Sequence, residues 1–353
     1  MVKTVFNYNK KRFWASILLA QFVLFRLMSK NTYLVEIFQK FYDLKKDYQN
    51  QFFKNLPISV GDLLYVFFLI GLITYLLYFV FKRKALFNFK YVLVTINIIF
   101  FLYHILWSMM YFTQPIKNKL PQKEITTKTL KLLTKKYLEK TIQARKKVKN
   151  DNDGSFKISN LQKIKEEIIH QQNVLPKNII HLKPLKNYNL KESTFGSLMN
   201  YSGILGYYNP FTSEAQYNPN LPDTYIPFTL AHETAHQYGL AKEQEANFFA
   251  FLIGNSSSNP DLYYSTQYYV LKSLLNALKE YDEEYVENIL LNYSEEMKKD
   301  RNKELKFRHQ YKGIMDDFFG FTNDLFLKSN QQDGSITYSY FLQLLVQYEN
   351  RDI

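Results

Sequence analysis

One stretch of this 353-residue chain brings together side chains that could do chemistry: His232, Glu233 and His236, in Ala231-His-Glu-Thr-Ala-His-Gln-Tyr-Gly239. On a helix, residues four apart share a face, so the two imidazoles can bind one metal ion. Glu233 lies beside them, where its carboxylate can reach a water on that metal without displacing a ligand. In this HExxH arrangement zinc lowers the pKa of its water and the glutamate takes the proton. The same carboxylate can then hand the proton to a leaving amine. The chain has only six histidines, and at that density a chance HExxH has a probability of roughly 0.5%. The spacing therefore points to a metal site rather than to two surface histidines near an acid.

A catalytic zinc site needs three protein ligands and an open position. With no cysteine in the chain, the third must be histidine or carboxylate. Glu243 and Glu245 follow in Lys242-Glu-Gln-Glu-Ala-Asn247. Glu243 is favoured, because Asn247 shares its face at i,i+4 and can hydrogen-bond a ligand from behind. Glu245 is then a solvated acid or a partner of the helix dipole. Other candidates are weaker. Tyr207, Tyr208 and Asn209 would lie on a strand bordering the cleft, whose edge could pair with a substrate backbone. Glu214 and Tyr263 could lie near the site but read more simply as structural. Arg308 and His309 are distant candidates for stabilising the transition state.

These residues need elements to hold them. After residue 224 the pattern is helical, with expected helices at 224–238, 242–253, 261–281, 283–299, 304–327 and 335–348. Gly239 and Gly254 stand where helix C-caps belong. Upstream, residues 200–220 are rich in Gly, Asn, Pro and Tyr. Two short strands are expected there, 204–208 and 215–218, around a Pro-Phe-Thr-Ser turn. Residues 121–149 read as a Lys-rich amphipathic stalk whose basic face could rest on lipid headgroups. Asn150 to Gly154 form a polar turn and a plausible boundary. No internal repeat or low-complexity tract is visible.

Composition places the rest. The chain is 46% hydrophobic with a formal net charge of +13, too apolar for disorder. Residues 1–150 hold 26 Lys+Arg against 6 Asp+Glu, whereas residues 201–353 hold 12 against 21. The excess is confined to the first part, which argues for membrane flanks rather than a nucleic-acid surface. The mean hydropathy of −0.29 averages two unlike halves. Leu63–Phe81 and Tyr91–Phe112 are each long enough, as helices, to cross about 30 Å of hydrocarbon. Phe13–Met28 is shorter, follows Lys10, Lys11 and Arg12, and reads as an uncleaved anchor with Arg26 snorkelling. Three spans, at 13–29, 62–81 and 91–113, put everything after them outside the cytoplasm, and the basic residues before the first and between the next two agree; with the first segment not crossing, the large domain would be cytoplasmic. The 12 Lys+Arg of residues 117–149 run against that rule, which acts weakly on segments attached to large domains.

Several segments resemble a bacterial membrane-protein family, domain of unknown function 3810. They are Asn55-Leu-Pro-Ile-Ser-Val-Gly-Asp-Leu-Leu-Tyr65, residues 206–218, residues 226–252 and residues 331–345. The resemblance covers about residues 30–350. It implies a membrane-anchored member of the zincin-type metallopeptidases, with His232 and His236 as ligands and Glu233 as general base. Zincins with a glutamate ligand often carry ExxxD or ExxxN, which Glu243–Asn247 fits. Those with a third histidine have it where this chain has Lys242.

The expected fold is thus α+β and mostly helical: a membrane anchor over residues 1–115, then a zincin-like domain over 116–353 with a small sheet and an HExxH helix. The expected function is a zinc-dependent peptidase in a bacterial inner membrane, with lipid bilayer and a peptide or protein substrate as partners and no nucleic acid. Its alternatives are a non-catalytic sensor or scaffold with a structural zinc site, and a zinc amidase acting on cell-wall material. Substrate and oligomeric state lie beyond the sequence.

Overall fold

Two uncharged runs dominate the first part of the chain and become its long apolar helices. In the computed structural model, which describes residues 11–81, 89–313 and 337–349, these are α3 (Val60–Phe81) and α4 (Phe89–Leu106). Both are long and apolar enough to cross a membrane. α1 (Lys11–Met28) lies against α4 and runs in the same direction. Asn97 of α4 donates to the Trp14 carbonyl and accepts from Gln21, while Phe25 packs on Phe100, Phe101 and His104.

Between them stands a helix that the sequence analysis left without an element, α2 (Thr32–Phe53). It is capped by Asn31 and meets α1 at 101°. Its inner face, with Tyr42, Lys45, Lys46 and Asn50 buried, docks onto the soluble part. After α4, the chain passes through short 3-10 turns at Ser108–Phe112 and Ile116–Lys119. Trp107, Met110 and Tyr111 join Tyr42 in one hydrophobic core with Tyr238, Phe248 and Phe249. Packing therefore crosses the division expected at residue 115.

The soluble part is mostly helical with small sheets. α5 (Thr127–Arg145) is no stalk. Leu130, Leu133, Tyr137, Leu138, Thr141 and Ala144 are buried, and the helix packs along α10 (Pro260–Lys279). Enough of its residues are apolar at helical spacing to build a core face, and the lysines fall on the other side. The polar cluster at 150–154 is the turn of a hairpin, β1 (Lys149–Asn150) with β2 (Phe156–Lys157), and not a boundary. Gly154 adopts φ +79° there and Phe156 is buried. α6 (Leu161–Gln171) follows.

The main sheet has three strands in the order β3 (Leu190–Glu192), β5 (Glu214–Tyr217), β4 (Gly206–Asn209). β4 and β5 are antiparallel, with Gly206 opposite Tyr217 and Asn209 opposite Glu214. The hairpin agrees with expectation, its strands offset by one or two residues. β3 pairs parallel to β5 and had no sequence signal. α7 (Gly196–Ser202) precedes β4, and α8 (Ile226–Tyr238) and α9 (Glu243–Asn255) follow the hairpin. The helix expected at 283–299 is two, α11 (Glu283–Leu291) and α12 (Glu295–Tyr311). Asn292 ends the first, and the Ser294 side chain caps the second by accepting from Met297 N–H. The residues expected at 304–311 belong to α12, and the rest of that expected helix lies outside the described residues. α13 (Thr337–Glu349) closes the chain against α9.

The start of α3 is fastened to the sheet. Glu214 of β5 accepts from Val60 N–H at 3.0 Å and Gly61 N–H at 2.5 Å, a carboxylate at the positive end of a helix dipole. Asp62 accepts from Thr194 N–H at 2.6 Å and from the hydroxyls of Thr194 and Tyr207. A Cβ on Gly61 would lie 2.6 Å from the Asn209 amide and 2.8 Å from that of Gln216, so a larger residue here would have to displace both side chains.

Candidate metal centre

α8 begins with proline in its first turn, where the missing N–H costs nothing, and ends at Gly239. Gly239 takes φ +117° and donates to the carbonyls of Ala235 and His236. A Cβ there would meet the Tyr42 ring at 3.0 Å, so the turn is closed to other residues on two counts. Leu240 N–H also returns to Ala235, and Ala241 is buried. The chain reverses within four residues and starts α9 at Glu243.

That reversal brings His232, His236 and Glu243 together, with their ligand atoms all within 4.8 Å of one another. His232 Nε2 lies 3.2 Å from one Glu243 oxygen and His236 Nε2 lies 3.5 Å from the other. Each outer nitrogen is engaged. His232 Nδ1 donates to Asn247 Oδ1 at 2.8 Å, and His236 Nδ1 donates to the Leu240 carbonyl at 2.7 Å. Carbonyl oxygens only accept, so the proton sits on Nδ1 in the neutral rings and the Nε2 lone pairs face inward, the tautomer a metal ion needs.

The three side chains set one another's charge. Burial alone would lower His232, but the hydrogen bond and charge of Glu243 outweigh it and hold the imidazole at about 9. Burial also opposes ionisation of Glu243, yet the two imidazoles hold it down at about 2. Burial pushes His236 down to about 4, with the charge of Glu243 offsetting it only in part and that of His232 adding to it.

Glu233 is buried, and burial pushes its carboxyl up to about 8. Its Oε2 has no hydrogen-bond partner among the described residues. Its other face packs on β4: a Cβ on Gly206 would lie 2.6 Å from Glu233 Oε1 and 2.8 Å from the Gln216 carbonyl. A buried oxygen with no partner beside an inward-facing donor set is a group waiting for a ligand or water.

Glu245 goes elsewhere. It is buried, accepts from Ile116 N–H at 2.8 Å and lies near Lys242, which fixes the turn after α4. It is neither solvated nor in the triad. Tyr207 points at Asp62 and the start of α3. Tyr208, alternating to the other side, places its ring 6.5 Å from the His236 ring and its hydroxyl against Tyr42 and Ser213. Asn209 shapes the hairpin turn by accepting from Phe211 and Thr212. Glu214 serves the sheet and α3, and Tyr263 packs against the core. Arg308 and His309 are exposed on α12, with Arg308 near Tyr225 and Lys272 rather than the triad.

The supports of α8 carry no local sequence signal. Tyr42 of α2 donates to the His236 carbonyl at 2.9 Å, and Lys46 donates to the Tyr238 carbonyl at 3.0 Å, together closing the C-terminal end of α8. Trp107, one residue past α4, sets its ring 6.0 Å from His236. The Leu240 carbonyl has no signature at all, since any residue supplies one.

Comparison with curated proteins and with solved structures finds no match. The family described as "Protein of unknown function (DUF3810)" matches residues 38–346, which takes in most of α2, the apolar helices α3 and α4, the sheet, the triad and most of α13. The chain belongs to that family.

Proposed function

We propose that this protein is a membrane-anchored zinc peptidase with its site on the non-cytoplasmic side of a bacterial inner membrane. One observation carries the reading: His232, His236 and Glu243 converge with their outer nitrogens already engaged, beside a buried glutamate with an unpartnered oxygen. Two imidazoles and a carboxylate are a donor set found in catalytic zinc sites. Zinc held there would supply Lewis acidity and a water acidic enough to ionise near neutral pH. Glu233 would take the proton from that water and pass it to the leaving nitrogen. Asn247 and Leu240 keep the imidazoles in register. Gly206 leaves room for the Glu233 carboxylate against the edge strand, whose backbone is available to align an extended peptide.

The orientation rests on charge. α1 and α4 run in the same direction, and along the sequence Lys10, Lys11 and Arg12 stand at the start of α1 and Lys82, Arg83 and Lys84 between α3 and α4. Positive residues favour the cytoplasm, and the folded domain crosses regardless of its own charge.

The test is Glu233→Gln on the full chain in detergent. Zinc stoichiometry should be unchanged while hydrolysis of a peptide library falls at least about a thousandfold. Retained hydrolysis would overturn the mechanism. A hydroxamate should bind the zinc-loaded protein, since only an open position admits it. Failure to bind would favour a structural zinc, and cleavage of wall fragments in place of peptides would favour an amidase.

A further inference from the structure

The face of α2 that turns away from α8 carries Tyr33, Ile37, Phe41, Leu44, Tyr48 and Phe52, all exposed. Their spacing makes one stripe, about 100° of arc wide at 3.6 residues per turn. Glu36, Lys40, Asp43 and Asp47 run along one edge of it, and the buried residues fill the opposite side. Apolar stripe, charged edge and tyrosines are the composition of a helix lying in a lipid interface.

The geometry agrees. α1 lies alongside α4, and α2 leaves it at 101°. If α4 crosses the bilayer, α2 runs close to the plane of its surface. Exposed apolar surface is continuous at both ends: Leu24 and Leu27 precede α2, and Leu56 and Ile58 follow it into α3. We infer that α2 is seated in the headgroup region of the bilayer through Tyr33, Ile37, Phe41, Leu44, Tyr48 and Phe52. The lipid surface is the occupant that this continuity fits, because a protein partner on the stripe would have to share it with the lipid around α1 and α3. The inference needs the apolar helices to be in a membrane and does not depend on zinc or on peptidase activity.

The consequence reaches the triad through the other face. Tyr42 and Lys46 hold the last carbonyls of α8, so the helix that carries His232 and His236 is tied to whatever α2 rests on. The metal centre then stands at a set height above the lipid surface.

The wild-type chain contains its own control. Tyr48 is 77% exposed and Tyr281, in the turn after α10, is 74% exposed. Hydroxyl-radical footprinting in nanodiscs of phosphatidylethanolamine and phosphatidylglycerol should oxidise Tyr48 about fivefold or more slowly than Tyr281, given burial of about 5–10 Å into the interface. Equal oxidation would overturn the proposal. The absence of cysteine permits a second measurement with Leu44→Cys and Leu291→Cys, each labelled with an environment-sensitive fluorophore. The α2 label should be quenched by lipid spin-labelled near the headgroup, and more weakly by lipid labelled deep in the chain. The Leu291 label, on exposed α11, should respond to aqueous iodide instead. Iodide quenching at position 44, or stronger quenching by the deep label, would refute an interfacial seat, the latter by making α2 part of a span.

Discussion

Asn247→Ala isolates what the outer hydrogen bonds contribute to metal binding. The substitution removes the acceptor 2.8 Å from His232 Nδ1 and leaves His236 with its Leu240 carbonyl. Among the described residues the amide nitrogen of Asn247 has no partner of its own, so the loss runs through one bond. A buried N–H left unpaired costs about 1–3 kcal/mol. Loss of an outer partner of a metal-bound histidine typically costs about 10–100-fold in affinity, and at about 1.36 kcal/mol per decade the two figures coincide. Zinc competition against a chromogenic chelator, on the full chain at neutral pH, should therefore show a 10–100-fold weaker site. Asn247→Asp, which keeps the acceptor and adds charge, should bind at least as tightly as wild type. Should Asn247→Ala stay within about twofold of wild type while His232→Ala loses binding, His232 would not owe its orientation to Asn247.

Other outcomes follow from the same geometry. Burial raises Glu233 to about 8 from an ordinary value near 4.5, so the folded state holds that proton more tightly than the unfolded state. Its contribution to stability is full below about pH 4.5 and is lost as the pH rises toward 8. Metal-free Glu233→Gln should accordingly lose less Tm between pH 6 and 8.5 than wild type, and equal slopes would refute this account. Gly239→Ala places a Cβ against Tyr42 in a left-handed turn, and should cost about 1–3 kcal/mol of stability together with zinc affinity; unchanged urea midpoint and affinity would contradict it. Arg145 pairs with Asp300 at 2.6 Å with both side chains buried, and Asp300 also accepts from Phe156 N–H and Tyr264. Arg145→Met leaves that carboxylate uncompensated and should cost about 3–5 kcal/mol by denaturant unfolding.

The triad was legible because it depends on local rules: i,i+4 projection, a glycine C-cap and a second i,i+4 pair, Glu243 and Asn247, on the next helix. Glu245 was misread because its partner, the backbone at Ile116, is distant in sequence. α2 went unread for a different reason. Its stripe is periodic, but aromatic and aliphatic residues alternate with lysines and aspartates, and the search for long uncharged runs passes over it. β3 is three residues long and pairs in parallel with a strand more than twenty residues away, which leaves no local trace. The stalk was a misweighting of Lys-rich composition over spacing, since Leu130, Leu133, Tyr137 and Leu138 already described a buried face. Two segments noticed separately, 55–65 and 206–218, turn out to be bonded to each other through Glu214, Asp62 and Tyr207.

The fastening of α3 to β5 and of α2 to α8 also orders events during synthesis. The residues of α2 and α3 leave the ribosome well before Tyr207, Glu214 and His236, so Asp62, Gly61 and Tyr42 are made before their partners exist. Gly239 caps α8 locally, but the His236, Gln237 and Tyr238 carbonyls gain Tyr42 and Lys46 only after the later part of the chain folds back onto the earlier part. The helix that carries the two histidines is therefore fastened last, by residues made first.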